Sequence, residues 1–281
     1  MKPLQHFILT RFNVRIWHQD KYGNAVRTKD WLEHRFSVFE KYCLPSIANQ
    51  TCKDFVWIVL FDSETPDDYK ARISEYQVVC PQLSPIFVEP VNGRYFSHIF
   101  RAAIAERLDA ERVLSTYLDN DDALDIRFVE DIQKRVQCLP DGAFIYYSSG
   151  LQYFSSFKLL LRIVYKNNHF MSVVEAGNPS TLKSIYGYGS HTVISRIPDA
   201  VIEYVDDMPL WCEVIHERNM GNDAYFLLGT KVIRDNDTLR RDFCIDETSR
   251  HGLFLYVSRF IPRYIRTFFR RAKWKVFGRK W

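Results

Sequence analysis

Three carboxylates stand within four residues in the run Leu118-Asp119-Asn120-Asp121-Asp122. Ionised side chains packed this closely repel one another. A hard divalent cation, Mg²⁺ or Mn²⁺, prefers carboxylate oxygen and relieves the repulsion. A cation held there could in turn grip a nucleotide diphosphate. The same letters also fit a solvated turn in which Asp121 or Asp122 caps the next helix. Position adds information that the letters lack. The stretch from Arg112 to Leu118 is apolar and β-branched enough to be a buried strand, and the acidic run begins where it would end. In open α/β sheets ligands bind beyond the carboxyl ends of the strands.

The first half of the chain alternates strand and helix patterns. Phe7–Thr10 reads as a short strand. Leu32, Phe36, Phe39 and Cys43 then recur on one face of a helix that should end near Pro45. The wholly apolar Phe55–Phe61 suits a central parallel strand covered on both faces. Thr65-Pro66-Asp67-Asp68 predicts a helix with Pro at its first position and acids in its first turn. Pro85–Val88 is the next strand, and Ser97 opens a helix through Leu108 that leads into the strand before the acidic run. Phe128, Val129, Ile132 and Val136 mark a helix after it. Such βα alternation indicates a doubly wound sheet. Short strands follow at 143–147, 152–154 and 158–165, and residues 167–222 read as loop-rich. The acidic run therefore falls at a seam between two halves, where clefts form. Arg11, Arg94 and Arg101 could meet a diphosphate through bidentate bonds, although each also fits a surface role.

The 281 residues, 47% apolar and 15% aromatic, exclude disorder. Six cysteines without CxxC spacing read as reduced thiols of a cytosolic protein. The apolar run at the N-terminus is too short for a signal peptide, and no 18-residue apolar stretch predicts a membrane span. Net charge is +4, but residues 253–281 hold nine Lys/Arg and no Asp or Glu, which leaves 29 basic against 34 acidic residues in the body. From Pro262 the tail reads as a helix. Arg263, Arg266, Arg270 and Lys273 lie along one face, and Ile261, Ile265, Phe268, Ala272 and Val276 along the other. Trp274, Phe277 and Trp281 are aromatics suited to a lipid–water boundary. This is the pattern of a helix lying in an anionic membrane surface, or of one docked on the body with a solvated basic face. The acidic body argues against nucleic acid.

In order and separation, several segments resemble a GT-A glycosyltransferase over roughly residues 6–220. These are Phe-Val-Trp-Ile-Val-Leu-Phe-Asp62 and Leu-Asp119-Asn-Asp121-Asp122-Ala-Leu. Thr10–Asn13, Asn168–Glu175, Gly189–Thr192 and Trp211–Asn219 narrow the resemblance to the bacterial rhamnosyltransferase family. The resemblance implies a Rossmann-like mixed sheet with flanking helices. It places a GT-A domain at 1–252, with a nucleotide-sugar half at 1–140 and an acceptor half at 141–252, followed by the tail at 253–281. It also implies that Asp62 faces the nucleoside and Asp119 the ribose, and that Asp121 ligates Mn²⁺ or Mg²⁺. Asp119 and Asp122 join the expected metal shell, and His216, with His191 as rival, completes it. An inverting transfer needs a base. Glu175, at the end of an apolar run, is one candidate, and Asp207 with its neighbour Asp206 is the other.

The expected activity is transfer of a sugar, rhamnose by the resemblance, from a nucleotide-diphosphate donor to a cell-surface glycan or lipid-linked acceptor. The expected location is the cytoplasmic face of the plasma membrane, with the tail on the lipid surface. Two alternatives use the same residues: a metal-dependent nucleotidyl- or phosphotransferase, and a non-catalytic glycan- or nucleotide-binding assembly factor.

Overall fold

The computed structural model describes residues 3–16, 25–26, 28–89, 96–216, 218, 230–235 and 237–248, with positions 258, 261, 262, 265 and 269 of the tail. Arg94 and most of the tail lie outside the described residues. The chain begins with β1 (Leu4–Arg11), α1 (Lys29–Val38), a π turn at Phe39–Cys43, α2 (Leu44–Ala48) and β2 (Val56–Asp62). It continues through α3 (Asp67–Val79), β3 (Leu83–Val88), α4 (Ser97–Ala105), β4 (Arg112–Tyr117), β5 (Ala123–Leu124) and α5 (Phe128–Val136). Next come β6 (Phe144–Tyr147), β7 (Ser149–Phe154), β8 (Leu159–Val164) and β9 (Met171–Ala176). The described chain is completed by α6 (His191–Ile194), β10 (Ile202–Val205), β11 (Trp211–Ile215), β12 (Lys231–Val232) and α7 (Thr238–Phe243).

Seven strands form one sheet in the order β10-β6-β9-β4-β1-β2-β3, and five form a second in the order β12-β8-β7-β11-β5. β4, β1, β2 and β3 are parallel neighbours, as βα alternation requires. β9 runs antiparallel between β4 and β6, so the sheet is mixed. Strands from beyond residue 140 thus join those before it in one sheet. Side chains alternate across β1 and β2. Ile8, Trp57 and Val59 enter the core against α1, α3 and α5, while Phe7, Leu9, Ile58 and Leu60 enter a second core against α4. Burial on both faces explains why β2 reads as a continuous apolar run.

Two helix ends differ from the sequence expectation. The helical path does not stop near Pro45. It continues to Ala48, because Pro45 sits in the first turn of α2, where a missing N–H costs little. Pro66 stands just before α3 and not inside it. The loop-rich reading of 167–222 also gives way, since that segment supplies β9, β10 and β11.

The register of β1 against β4 buries His6 beside Leu114, where its Nε2 is 2.8 Å from Thr116 Oγ1. Burial pushes the imidazole down to about 3. The folded state keeps it neutral, while the unfolded chain takes up a proton below about 6.5. The unfolded form then binds more protons, so stability is complete above pH 6.5 and falls as pH drops toward 3. At pH 5 the loss from this residue is expected to be about 2 kcal/mol. Urea unfolding at pH 7 and pH 5 measures it, and the difference should shrink by about that amount in His6→Gln.

Candidate active site

The acidic run is the crossing between the sheets. β4 ends at Tyr117 in the seven-stranded sheet, and β5, starting at Ala123, pairs with β11 in the five-stranded one. Asn120 fixes the crossing by donating from Nδ2 to the carbonyls of Arg11 (2.9 Å) and Phe12 (2.7 Å) at the end of β1. Each Asp then turns to a different partner.

Asp119 Oδ1 accepts from the Tyr117 hydroxyl at 2.7 Å, and that hydroxyl accepts from Arg11 Nη2 at 2.9 Å. The Arg11 guanidinium lies over the rings of Tyr186 (5.0 Å) and Tyr117 (5.8 Å). Arg11 therefore supports Asp119 from below through a tyrosine. Tyr186 is held there by Glu175, whose buried carboxylate accepts from the backbone N–H groups of Lys183 (3.0 Å) and Ser184 (2.9 Å) and from Tyr188 Oη (3.1 Å). Burial raises the Glu175 pKa against these bonds. Glu175 pairs with Val113 near the start of β4, about 13 Å of strand short of Tyr117. The structure thus places Glu175 at the far edge of the sheet from the acidic run, as the anchor of the 183–188 loop.

Asp121 Oδ2 accepts from Arg35 Nη1 of α1 at 3.0 Å and lies 3.1 Å from His216 Nε2, just beyond β11. Burial opposes its ionisation, but Arg35 and His216 outweigh burial and hold the carboxyl below its usual range. Asp122 is fully buried. Its Oδ1 accepts from Val214 N (2.9 Å) and its Oδ2 is 2.7 Å from His169 Nε2. Burial pushes the Asp122 carboxyl up. Burial also disfavours the His169 imidazolium, yet the bond to Asp122 more than offsets this and raises the histidine. Single ligand atoms of Asp119, Asp122 and His169 lie within 4.8 Å of one another and could hold a metal ion. His191, at the start of α6, has its ring 6.2 Å from that of His169.

Beside the run, a cleft of about 490 Å³ opens at the ends of β1 and β2, lined by Asn13, Arg15, Trp31, Asp62, Thr65 and Tyr69 among others. Asp62 is buried there, bonded by Arg15 Nε at 2.7 Å, and its backbone N–H donates to Asn13 Oδ1 at 3.0 Å. The strand order puts β1 between β2 and β4, so this cleft and the acidic run share one sheet edge. Asp206 and Asp207 are exposed at that same edge but follow β10, three strands or about 14 Å from β4. Asp207 is bound to Arg135 at 2.8 Å. Arg101 is exposed on α4.

Of the residues expected from sequence, the structure brings Asp119, Asp121, Asp122, His216 and Arg11 together and sets Asp62 in the adjoining cleft. Glu175 and Asp207 stand apart from them. Sequence reasoning missed Arg35, which carries no local signal beyond its place on a helix. It also missed His169, although the Asn-His-Phe segment was visible.

Two sheets joined through an acidic strand end, with a cleft at the neighbouring strand ends, define a mixed α/β protein with its candidate site at the crossing. The family described as "Putative rhamnosyl transferase" matches residues 9–224, and the chain belongs to it. No curated protein matches the sequence. Among solved structures, the chain is similar to TarS of S. aureus (11% identity, TM-score 0.39, 75% of this chain and 37% of that one). It is also similar to the mannosyltransferase PcManGT of Pyrobaculum calidifontis, solved with GDP-Man and Mn²⁺ (12% identity, TM-score 0.44, 78% of this chain and 59% of that one). The chain thus spans 37% to 59% of these longer proteins.

Proposed function

We propose that the protein is a metal-dependent glycosyltransferase that moves a sugar, rhamnose by family, from a nucleotide-diphosphate donor to a glycan or lipid-linked acceptor. The observation that carries this reading is the Asp121–His216 pair at the end of β4, beside the Asn13–Asp62 cleft. Asp121 Oδ2 and His216 Nε2, hydrogen-bonded at 3.1 Å, would offer an ion one carboxylate oxygen and one imidazole nitrogen once the proton between them has left. The donor set of one carboxylate and one imidazole suits Mn²⁺ or Mg²⁺ with further oxygens from a diphosphate. Asp122 fits this role less well, since both its oxygens are already engaged by Val214 and His169.

Bound there, the ion supplies Lewis-acid stabilisation of the charge that develops on the departing diphosphate, a contribution of several kcal/mol. The protein does the rest by placement. Asp62 faces the nucleoside, Asp119 is steadied by Tyr117 for the ribose, and Asn120 locks the run to β1. An inverting course needs a base, and neither Glu175 nor Asp207 is positioned to serve the acidic run, so we assign that role to neither.

Asp121→Asn keeps the shape of the side chain and removes a charge. It should cost about 10³-fold or more in donor turnover, together with the Mn²⁺-dependent part of nucleotide affinity. His216→Ala should follow it, and His169→Ala should not. Release of nucleoside diphosphate from nucleotide sugars is the measurement. Near-normal turnover by Asp121→Asn would reduce the run to a turn, and release of pyrophosphate would point to a nucleotidyltransferase.

We also propose that the tail lies on an anionic membrane surface. Its nine basic residues without an acid support this, as do Ile261, Ile265 and Phe269, helical positions four residues apart and all exposed. Among the described residues no helix is long and apolar enough to cross a membrane. Each Lys or Arg near an anionic leaflet contributes about 1 kcal/mol. Full-length protein should therefore co-sediment with anionic vesicles at low salt and be released by deletion of residues 258–281. Failure of the full-length protein to sediment would mean that the helix docks on the body.

A further inference from the structure

α1 meets the proposed ligand pair at two points and the residue beyond it at a third. Arg35 Nη1 bonds Asp121 Oδ2 at 3.0 Å, His34 Nε2 lies 3.4 Å from His216 Nδ1, and Asp30 pairs with Arg218 at 2.7 Å. The first contact has a chemical consequence. A carboxylate oxygen has two lone pairs. Those of Asp121 Oδ2 already face two groups, the Arg35 guanidinium and the His216 imidazole. A divalent ion taking that oxygen must take the place of the guanidinium, because two cations cannot share it without strong repulsion at a buried site.

Arg35 is only partly buried, with its side chain 12% exposed. Its Nε is buried with no hydrogen-bond partner among the described residues. The guanidinium rests over the ring of Trp31, 5.5 Å from its centroid, and Trp31 lines the adjoining cleft. A guanidinium that leaves Asp121 therefore has a short path toward any diphosphate in that cleft, and its planar fork suits phosphate oxygens.

We propose that Arg35 is a positioning residue that holds Asp121 until an ion displaces it. A bare divalent ion, which must break the pair with no return, then binds weakly. An ion that arrives with a diphosphate gives Arg35 a new anionic partner and binds well. Metal and nucleotide binding are thereby coupled through one side chain. This inference rests on the reading that Asp121 and His216 hold the metal.

The test is titration of Mn²⁺, followed by electron paramagnetic resonance, into wild type, Arg35→Gln and Arg35→Lys, alone and then with UDP, GDP or dTDP. Gln still donates a hydrogen bond to Asp121 but carries no charge, so the fold is kept. Arg35→Gln should bind bare Mn²⁺ about tenfold more tightly than wild type, a factor in the ordinary range of coupling between sites. Arg35→Lys should stay close to wild type. The gain in Mn²⁺ affinity on adding nucleotide should shrink in Arg35→Gln by the same factor, because coupling is reciprocal. Equal or weaker bare-Mn²⁺ binding by Arg35→Gln, with His216-dependent Mn²⁺ binding intact in wild type plus nucleotide, overturns the displacement role alone. Absence of any His216-dependent Mn²⁺ binding in wild type with nucleotide overturns the metal reading, and this inference with it.

Discussion

Placing three carboxylates side by side at the crossing between two sheets is the constraint on which the rest of the structure depends. Asp121 and Asp122 are buried, and a buried charge without a partner costs several kcal/mol. The chain answers with separate partners drawn from separate elements. Asp119 is reached from β1 through the Arg11–Tyr117 chain, Asp121 from α1 and the end of β11, and Asp122 from His169 just before β9. Asp121 and Asp122 draw their side-chain partners from distant parts of the sequence, whereas Asp119 is met by Tyr117 two residues before it. Two histidine pairs can sit on adjacent aspartates because their partners come from different elements.

The sequence showed the parts whose signals are local. β1, β2, β4 and α5 follow from apolar runs and 3.6-residue spacing, and the acidic run follows from its place at a strand end. β6, β7 and β8 were legible as the strands expected at 143–147, 152–154 and 158–165, whereas β9, β10 and β11 escaped because their evidence is pairing, not pattern. β9 has only six residues, Met171–Ala176, nearly all apolar, and nothing local says that it inserts antiparallel between β4 and β6. The misplacement of Glu175 has the same cause. A carboxylate after an apolar run looks desolvated and reactive, and it is indeed buried. Only the antiparallel direction of β9 reveals that it lies at the wrong edge of the sheet, where two backbone N–H groups and a tyrosine hydroxyl occupy it.

Arg11 shows a subtler displacement of role. Its place at the end of β1 was legible, and an arginine there invites assignment to a phosphate. The structure gives it to Tyr117 and the rings of Tyr117 and Tyr186. Its guanidinium rests over two aromatic rings and hydrogen-bonds a tyrosine that in turn bonds Asp119. Arg35 has a different partner and makes a direct ion pair with Asp121. The two arginines thus serve different aspartates, Arg11 through Tyr117 and Arg35 directly.

That division bears on why α1 spans the site. Lys29, Trp31 and Leu32 line the cleft that ends at Asp62, while His34 and Arg35 reach His216 and Asp121. Within seven residues, one helix touches both the proposed nucleoside pocket and the proposed ion site. A helix is stiff over two turns, so a shift at one end is transmitted to the other. Trp31 lines the cleft and also lies under the Arg35 guanidinium, so the two sites share a side-chain contact. The acidic run sits on the rigid sheet crossing, pinned by Asn120 to β1. The Arg35–Asp121 bond thus joins α1 to the part of the run that Asn120 pins to β1.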